Sequence, residues 1–217
     1  MSPGADTARP DGRRLRGERT REAILAAAAA LASVDGLDGL SLSRLADELG
    51  VSKSGLFAHW RDKEELQLAT IAWARAQWRT HIVEPALVHP AGVRRLFAVH
   101  EARLAFYADG VLPGGCFFAA VEPELDDHPG AVRDSVMRAK RDWLGYLRSV
   151  VESAVAAGDL RSETEAGVLA FEIEALGEAA ISYARLVDRD TAFAFSRRAV
   201  LDRLRSLSTD PTILPEG

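Results

Sequence analysis

The feature that most restricts this chain is the spacing of its apolar residues. Proline and glycine cluster at 1–17, 85–92, 110–115 and 123–130, and between the clusters apolar residues recur with a 3.6-residue period over long stretches. That period places them along one face of a helix. Strand-like alternation nowhere runs beyond four or five residues, and Asp109-Gly110 follows a helical pattern rather than a β-branched one. The fold class is therefore all-α. Apolar residues make up 47% of the chain and charged ones 27%, enough to build a core, and no stretch of 18 uninterrupted apolar residues suggests a membrane span. The polar N-terminus lacks the apolar run of a secretory signal, and one cysteine, Cys116, forms no intrachain disulfide, so the expected address is the reducing cytoplasm.

The first helix is expected from about Thr20 to Asp35, ending at Gly36, with Ile24, Ala28 and Leu31 as its inward stripe. Ala26–Ala30 needs no reason beyond helix propensity. Ser41 is a plausible N-cap for a short helix carrying Leu42, Leu45, Ala46 and Leu49, which Gly50 closes. Ser52 caps a second short helix, roughly Lys53 to His59, and Asp62 caps a long one, with Glu65 spaced for a capping box. Two short helices joined by a glycine turn form a helix-turn-helix, whose second helix offers its N-terminal residues to base edges in the major groove. Lys53, Ser54, Gly55 and His59 are small or polar where a purely structural helix carries apolar bulk; Leu56, Phe57 and Trp60 anchor from behind.

Charge agrees with a partner at one end only. Net charge is −5, but residues 1–61 hold nine Arg and Lys against eight Asp and Glu, and Arg9 to Arg21 holds six arginines against two acids. By itself such a leader also reads as a solvated tail.

The run LSLSRLADELGVSKSGLFAHWRDKEEL, Leu40 to Leu66, together with REAILAAAAALASVDG before it, resembles the DNA-binding signature of TetR/AcrR-type repressors over residues 19–70. The resemblance implies a three-helix helix-turn-helix DNA-binding head, joined by a long linking helix to a helical ligand-binding and dimerisation bundle. It divides the chain into a basic flexible arm (1–18), the DNA-binding domain (19–62, the linking helix starting at about 62) and the ligand-binding and dimerisation domain (63–210). The DNA-contacting set it implies is Thr20, Ser41, Ser43, Arg44, Ser52, Lys53, Ser54, Gly55, His59, Trp60 and Lys63, with Lys63 on phosphate. Family members usually carry tyrosine where this chain has Phe57, so the phosphate contact of that hydroxyl is missing, and His59 is the candidate to replace it.

In the remainder, Pro85 is expected to end the linking helix, and helices follow at roughly 91–108, 113–122, 130–157, 164–187 and 190–207. Val132, Val136, Trp143, Leu147, Val150 and Ala154 form one inward face. The last two helices are apolar on more than one side, which suggests a C₂ subunit contact through Ile173, Leu176, Ala180, Tyr183, Val200 and Leu204. Aromatic residues at helical spacing read first as core, yet ligand sites between helices are apolar with a few polar groups. Trp78, Phe97, His100, Phe106, Phe118, Trp143 and Tyr146 are the ligand-binding candidates, with Glu101 and Arg103 as further polar groups.

Other chemistries lack a carrier. Cys116 and the histidines His59, His100 and His128 show no paired spacing of a zinc site, and Glu122 to His128 lacks EF-hand spacing. Cys116 sits in an apolar setting that raises a thiol pKa. Gly114-Gly115 is no phosphate loop, and no Gly-x-Ser-x-Gly or His-Glu-x-x-His occurs. No catalytic residue, cofactor or metal is expected. The reading is a cytoplasmic, ligand-responsive repressor that binds a pseudo-palindromic operator as a homodimer and is released by a small hydrophobic effector. The alternatives are a helical protein-binding adaptor or an all-helical enzyme whose helix-turn-helix is purely structural.

Overall fold

The computed structural model describes residues 12–57, 59–125 and 129–216, without the side chains of residues 12–16 and 57. Arg9 of the basic leader, the Phe57 ring, and Asp126, Asp127 and His128 of the acidic stretch lie outside the described residues and side chains. All regular elements among the described residues are helical, with one isolated bridge between Leu160 and Ser208.

Helices α1 (Gly12–Asp35), α2 (Leu42–Leu49) and α3 (Lys53–Phe57) make up the N-terminal head. The first helix starts well before Thr20, so residues 12–18 are not a flexible arm. Arginine and leucine favour helix, and extending a formed helix adds one hydrogen bond per residue, which outweighs the single Gly17. Ala28, Ala29 and Ala32 are fully buried where α1 lies against α4 and α7, so the alanine run has a packing role beyond propensity. Small side chains permit that close approach.

Helix α4 (Lys63–Trp78) is capped by Asp62, which accepts from the Glu65 N–H at 2.8 Å. Glu65 reaches back to the N–H of Arg61 rather than of Asp62, a capping box displaced by one residue. Arg61, through its backbone N–H and its guanidinium, holds the Glu65 carboxyl below its ordinary value. The helix ends beside Pro85, as expected, but reaches it through a π-helical turn, Arg79–Val83, that leads into the short α5 (Glu84–Ala86). Proline has no N–H and crowds the carbonyl four residues back, and the wider turn, in which the Glu84 N–H bonds to the Arg79 carbonyl, accommodates it.

The body comprises α6 (Val93–Ala108), α7 (Phe117–Val121), α8 (Ala131–Ala156), α9 (Ala166–Ala184) and α10 (Arg189–Leu207). Helices α9 and α10 pack on each other and on α6, while α8 packs on α4, α6 and α9. Val136, Trp143, Leu147, Val150 and Ala154 of α8 are buried, as their spacing predicts. One hydrophobic cluster runs from Ile24 in the head to Leu214 near the C-terminus, so head and body share a core.

Candidate nucleic-acid interface and ligand cleft

The turn between α2 and α3 is fixed by local chemistry. Ser41 accepts from the Arg44 N–H at 3.1 Å, and Gly50 ends α2 in the left-handed conformation (φ +63°), where a β-carbon is disfavoured. Ser52 accepts from the Gly55 N–H at 3.2 Å and its hydroxyl lies 2.9 Å from that of Ser54. Leu45, Ala46, Leu56 and Trp60 are buried beneath, leaving Ser52, Lys53, Ser54 and Gly55 exposed around the start of α3. A β-carbon at Gly55 would meet only Ser52 Oγ, at 3.4 Å, so this side of α3 is open enough for backbone to approach a duplex.

Several expected contacts are placed differently. Trp60 is 3% exposed and cannot reach DNA. It is an anchor: the Arg21 guanidinium lies over its ring at 4.6 Å and donates to the His59 carbonyl at 3.1 Å, fixing the His59 segment. Arg44 is engaged by Asp35. Lys63 donates to the Asp38 carbonyl at 3.2 Å, at the head–α4 seam. Thr20 and Ser41 are exposed, and Ser43 and His59 are half-buried. The positioning role of Arg21 escaped the sequence reading, since one arginine among six gives no sign of stacking.

Helix α4 joins this head to the body. At its first turns Leu66 is buried and Gln67 donates to the Leu37 carbonyl at 3.1 Å, and further along Trp73 donates to Glu22 of α1 at 2.5 Å. At its far end Trp78 packs on Phe118 (4.3 Å between ring centroids) and Trp143 (5.1 Å), and Trp143 on Tyr146 (5.7 Å). Between this end of α4, the π turn and α8 lies a cleft of about 620 Å³, walled by Trp78, Val83, Leu87, Ala139, Trp143 and Tyr146. Two ion pairs sit at its edge: Arg75–Asp142 (2.6 Å), which ties α4 to α8, and Arg79–Glu84 (3.3 Å).

Of the seven ligand-binding candidates, Trp78, Trp143 and Tyr146 line this cleft. Phe118 stacks behind Trp78. Phe97 lines a separate cavity of about 550 Å³ under the C-terminal segment, with Arg197 over its ring. Phe106 packs on His81 and Tyr107, and His100 is buried with Nε2 3.3 Å from Ser196 Oγ. Helical spacing marks the side chains that point inward; it does not mark where the interior is left empty.

Behind the cleft lies a polar network that the sequence reading did not assemble. Arg103, almost wholly buried, donates to Glu174 at 2.7 Å and to the Tyr107 hydroxyl at 2.6 Å, and the Trp143 indole donates to the same Glu174 at 2.6 Å. Lys140 bridges Glu122 and Glu178. Burial opposes the charge on Arg103, but Tyr107 and Glu174 more than offset it and its pKa is raised. Burial pushes Tyr107 and Cys116 up, keeping both neutral. Glu172, Glu174 and Glu178 in the otherwise apolar α9 were the available signal. Among the described residues, no His, Cys, Asp and Glu group is arranged to hold a metal ion.

The expected subunit contact needs correction as well. Ile173, Ala180, Val200 and Leu204 are 0–2% exposed within one chain, because they face the α9–α10–α6 core, and Leu176 is half-buried against it. Only Tyr183 of the six is exposed. The exposed apolar side chains of this helix pair are instead Val168, Phe171, Tyr183 and Phe195, with Leu186 and Val187 exposed in the turn between the two helices. Helices apolar on two sides do not reveal from sequence which side their own chain covers.

A sequence profile described as bacterial regulatory proteins, tetR family, matches residues 24–70, and one described as tetracyclin repressor-like, C-terminal domain, matches residues 92–200. No curated protein matches the sequence. Among solved structures, a TetR transcriptional regulator from Chloroflexus aurantiacus is 27% identical, with a TM-score of 0.81 over 89% of this chain and 98% of its own. A TetR-family regulator from Cytophaga hutchinsonii is 21% identical, with a TM-score of 0.76 over 90% of this chain and 98% of its own. AibR, solved in complex with isovaleryl coenzyme A and operator DNA, is 21% identical, with a TM-score of 0.65 over 81% of this chain and 95% of its own. With profiles covering both its head and its body, the chain belongs to the TetR family of bacterial regulatory proteins.

Proposed function

We propose that this protein is a homodimeric, ligand-responsive repressor that leaves its operator when a small hydrophobic effector enters the cleft between α4 and α8. The observation that carries this reading is the double membership of α4: one end is hydrogen-bonded into the head through Lys63 and Gln67, the other forms a wall of the cleft through Trp78. A ligand wedged beside Trp78 and Trp143 displaces that end and so changes the separation of two α3 helices in a dimer. AibR, solved in complex with isovaleryl coenzyme A and operator DNA, is a protein of this fold that holds both kinds of ligand. The reading is of a binding protein rather than an enzyme, acting in the cytoplasm where its DNA lies. Among the described residues no helix is long and apolar enough to cross a membrane.

On DNA, the exposed residues Lys53, Ser54 and Gly55 meet base edges, while Lys63 meets phosphate by giving up its bond to the Asp38 carbonyl. A two-fold dimer then requires a pseudo-palindrome with half-site centres about 34–36 Å apart or a multiple of that. Footprinting and competition binding on the upstream region of its own gene test this. Lys53→Ala or Ser54→Ala should change sequence preference by about 1–3 kcal/mol at a base pair, and Lys63→Ala should weaken all sequences alike. A footprint without two-fold symmetry contradicts the reading.

A further inference from the structure

The five-residue α3 carries a glycine that its own fold does not require. Elsewhere the chain shows reasons for glycine: Gly36 and Gly50 take positive φ, and a β-carbon on Gly114 would lie 1.7 Å from the Ser33 carbonyl oxygen. Gly55 is helical without a positive φ, and a β-carbon there would touch only Ser52 Oγ, at 3.4 Å. Glycine loses more backbone freedom on entering a helix than any other residue, and so short a helix has little stability of its own to spare. Alanine at this position would serve the fold better. The place of Gly55 says where the missing side chain matters. At about 100° per residue, Ser54 lies almost opposite the buried Leu56, and Gly55 comes next to Ser54 on the flank it shares with Ser52. The Ser52 hydroxyl accepts from the Gly55 N–H at 3.2 Å, so it is turned in on the backbone. A duplex that meets Ser54 therefore meets bare backbone beside it.

We propose that Gly55 is a steric specificity determinant: its missing side chain lets this flank of α3 lie at van der Waals distance from base edges in the major groove, so that the operator is selected there by shape. The inference rests on the reading of α3 as the recognition helix. Lys53 and Ser54 read by polar contact, whereas Gly55 reads by exclusion. Well-packed interfaces match the density of protein interiors and resist an added methyl group as interiors do. A β-carbon at 55 competes for the space that a base edge fills, with the thymine methyl as its bulkiest case. What α3 gives up in helix stability it regains as a closer fit to its duplex.

The test uses the full-length protein and the duplex site that the wild type selects from a random-sequence library, with Gly145→Ala as the control. Gly145 is exposed in α8 and equally open, a β-carbon there meeting nothing within 4 Å, but it lies outside the head. Both alanine substitutions should raise the melting temperature by about 1–4 °C. Gly145→Ala should leave affinity for the selected site unchanged. Gly55→Ala should weaken it about ten-fold or more, while leaving the weak binding of a scrambled duplex, which depends on phosphate contacts, as in the wild type. Gly55→Leu, which also keeps a good helix former, should weaken the selected site further. Equal affinity of the wild type and Gly55→Ala for the selected site overturns the proposal. So does an equal loss on both duplexes, which would put the effect at phosphate or in the fold of the head, and so does a lowered melting temperature in Gly55→Ala, which would make the glycine structural. A wild type that selects no site at all defeats the operator-binding reading, and the proposal with it.

Discussion

Arg103 and His100 lie three residues apart on α6, both nearly shut off from water, and their surroundings set opposite charge states. Glu174 and Tyr107 keep Arg103 charged, whereas burial, with Arg103 and Arg197 nearby, lowers His100 to about 3. The folded state therefore holds His100 neutral where the unfolded chain, with its ordinary value of 6.5, takes up a proton. The associated stability is complete above about pH 6.5 and is lost as pH falls toward the folded value, by up to about 1.4 kcal/mol per pH unit. Urea midpoints at pH 7.5 and 5.5 should diverge for the wild type and converge for His100→Leu after correction for the variant's own stability. Equal pH dependence in the two proteins would contradict this assignment. Removing one member of the Arg103–Glu174 pair should be worse than removing a surface pair, because the remaining charge stays buried. Arg103→Leu is expected to cost about 3–5 kcal/mol, whereas Arg148→Ala, which breaks an exposed pair with Glu152, should cost less than about 1 kcal/mol. Thermal melts decide between them.

Among the elements, α9 and α10 carry the sharpest contrast between their two sides. Phe171 and Phe195 are 64% and 67% exposed on the outward side, while Leu204 is wholly buried on the inward one. If, as we propose, a second copy covers the exposed Phe171 and Phe195, Phe171→Glu and Phe195→Glu should give folded monomers by light scattering at micromolar concentration. Leu204→Arg should instead lower stability by several kcal/mol whatever the assembly state, because it buries a charge inside one chain. Both results would reverse if Leu204 were the subunit contact. The sequence made the existence and order of the helices legible because periodicity, caps and glycine stops all point the same way: Ser41, Gly50 and Asp62 do in the structure what their types suggest. It left the two sides of α9 and α10 undecided because both are apolar. It also hid the π turn, since the compensation for Pro85 is made by the residues before it, which carry no mark of their own. The cleft was half legible: Trp78, Trp143 and Tyr146 were candidates, but the Arg75–Asp142 and Glu174 partnerships depend on which helices pack together.

For the molecule as a whole, the account rests on α4 as a lever with one end in the head and the other beside a cleft. Charge along the sequence agrees, with six arginines between Arg9 and Arg21 and the acidic excess after residue 61. Operator binding should therefore weaken steeply with salt, by roughly 10³–10⁵-fold between 50 and 200 mM if the dimer neutralises about 6–10 phosphates. Lever action also implies reciprocity, because a ligand shifts an equilibrium only by its differential affinity for the two states. The most direct test is to measure operator affinity as a function of a cleft-bound compound, identified by its quenching of Trp78 and Trp143 fluorescence, and to measure that compound's affinity with and without operator. The account predicts that saturating compound weakens operator binding by about 5–150-fold, and that operator weakens compound binding by the same factor. A compound that fills the cleft, shown by its loss in Ala139→Trp, yet leaves operator affinity unchanged would contradict it.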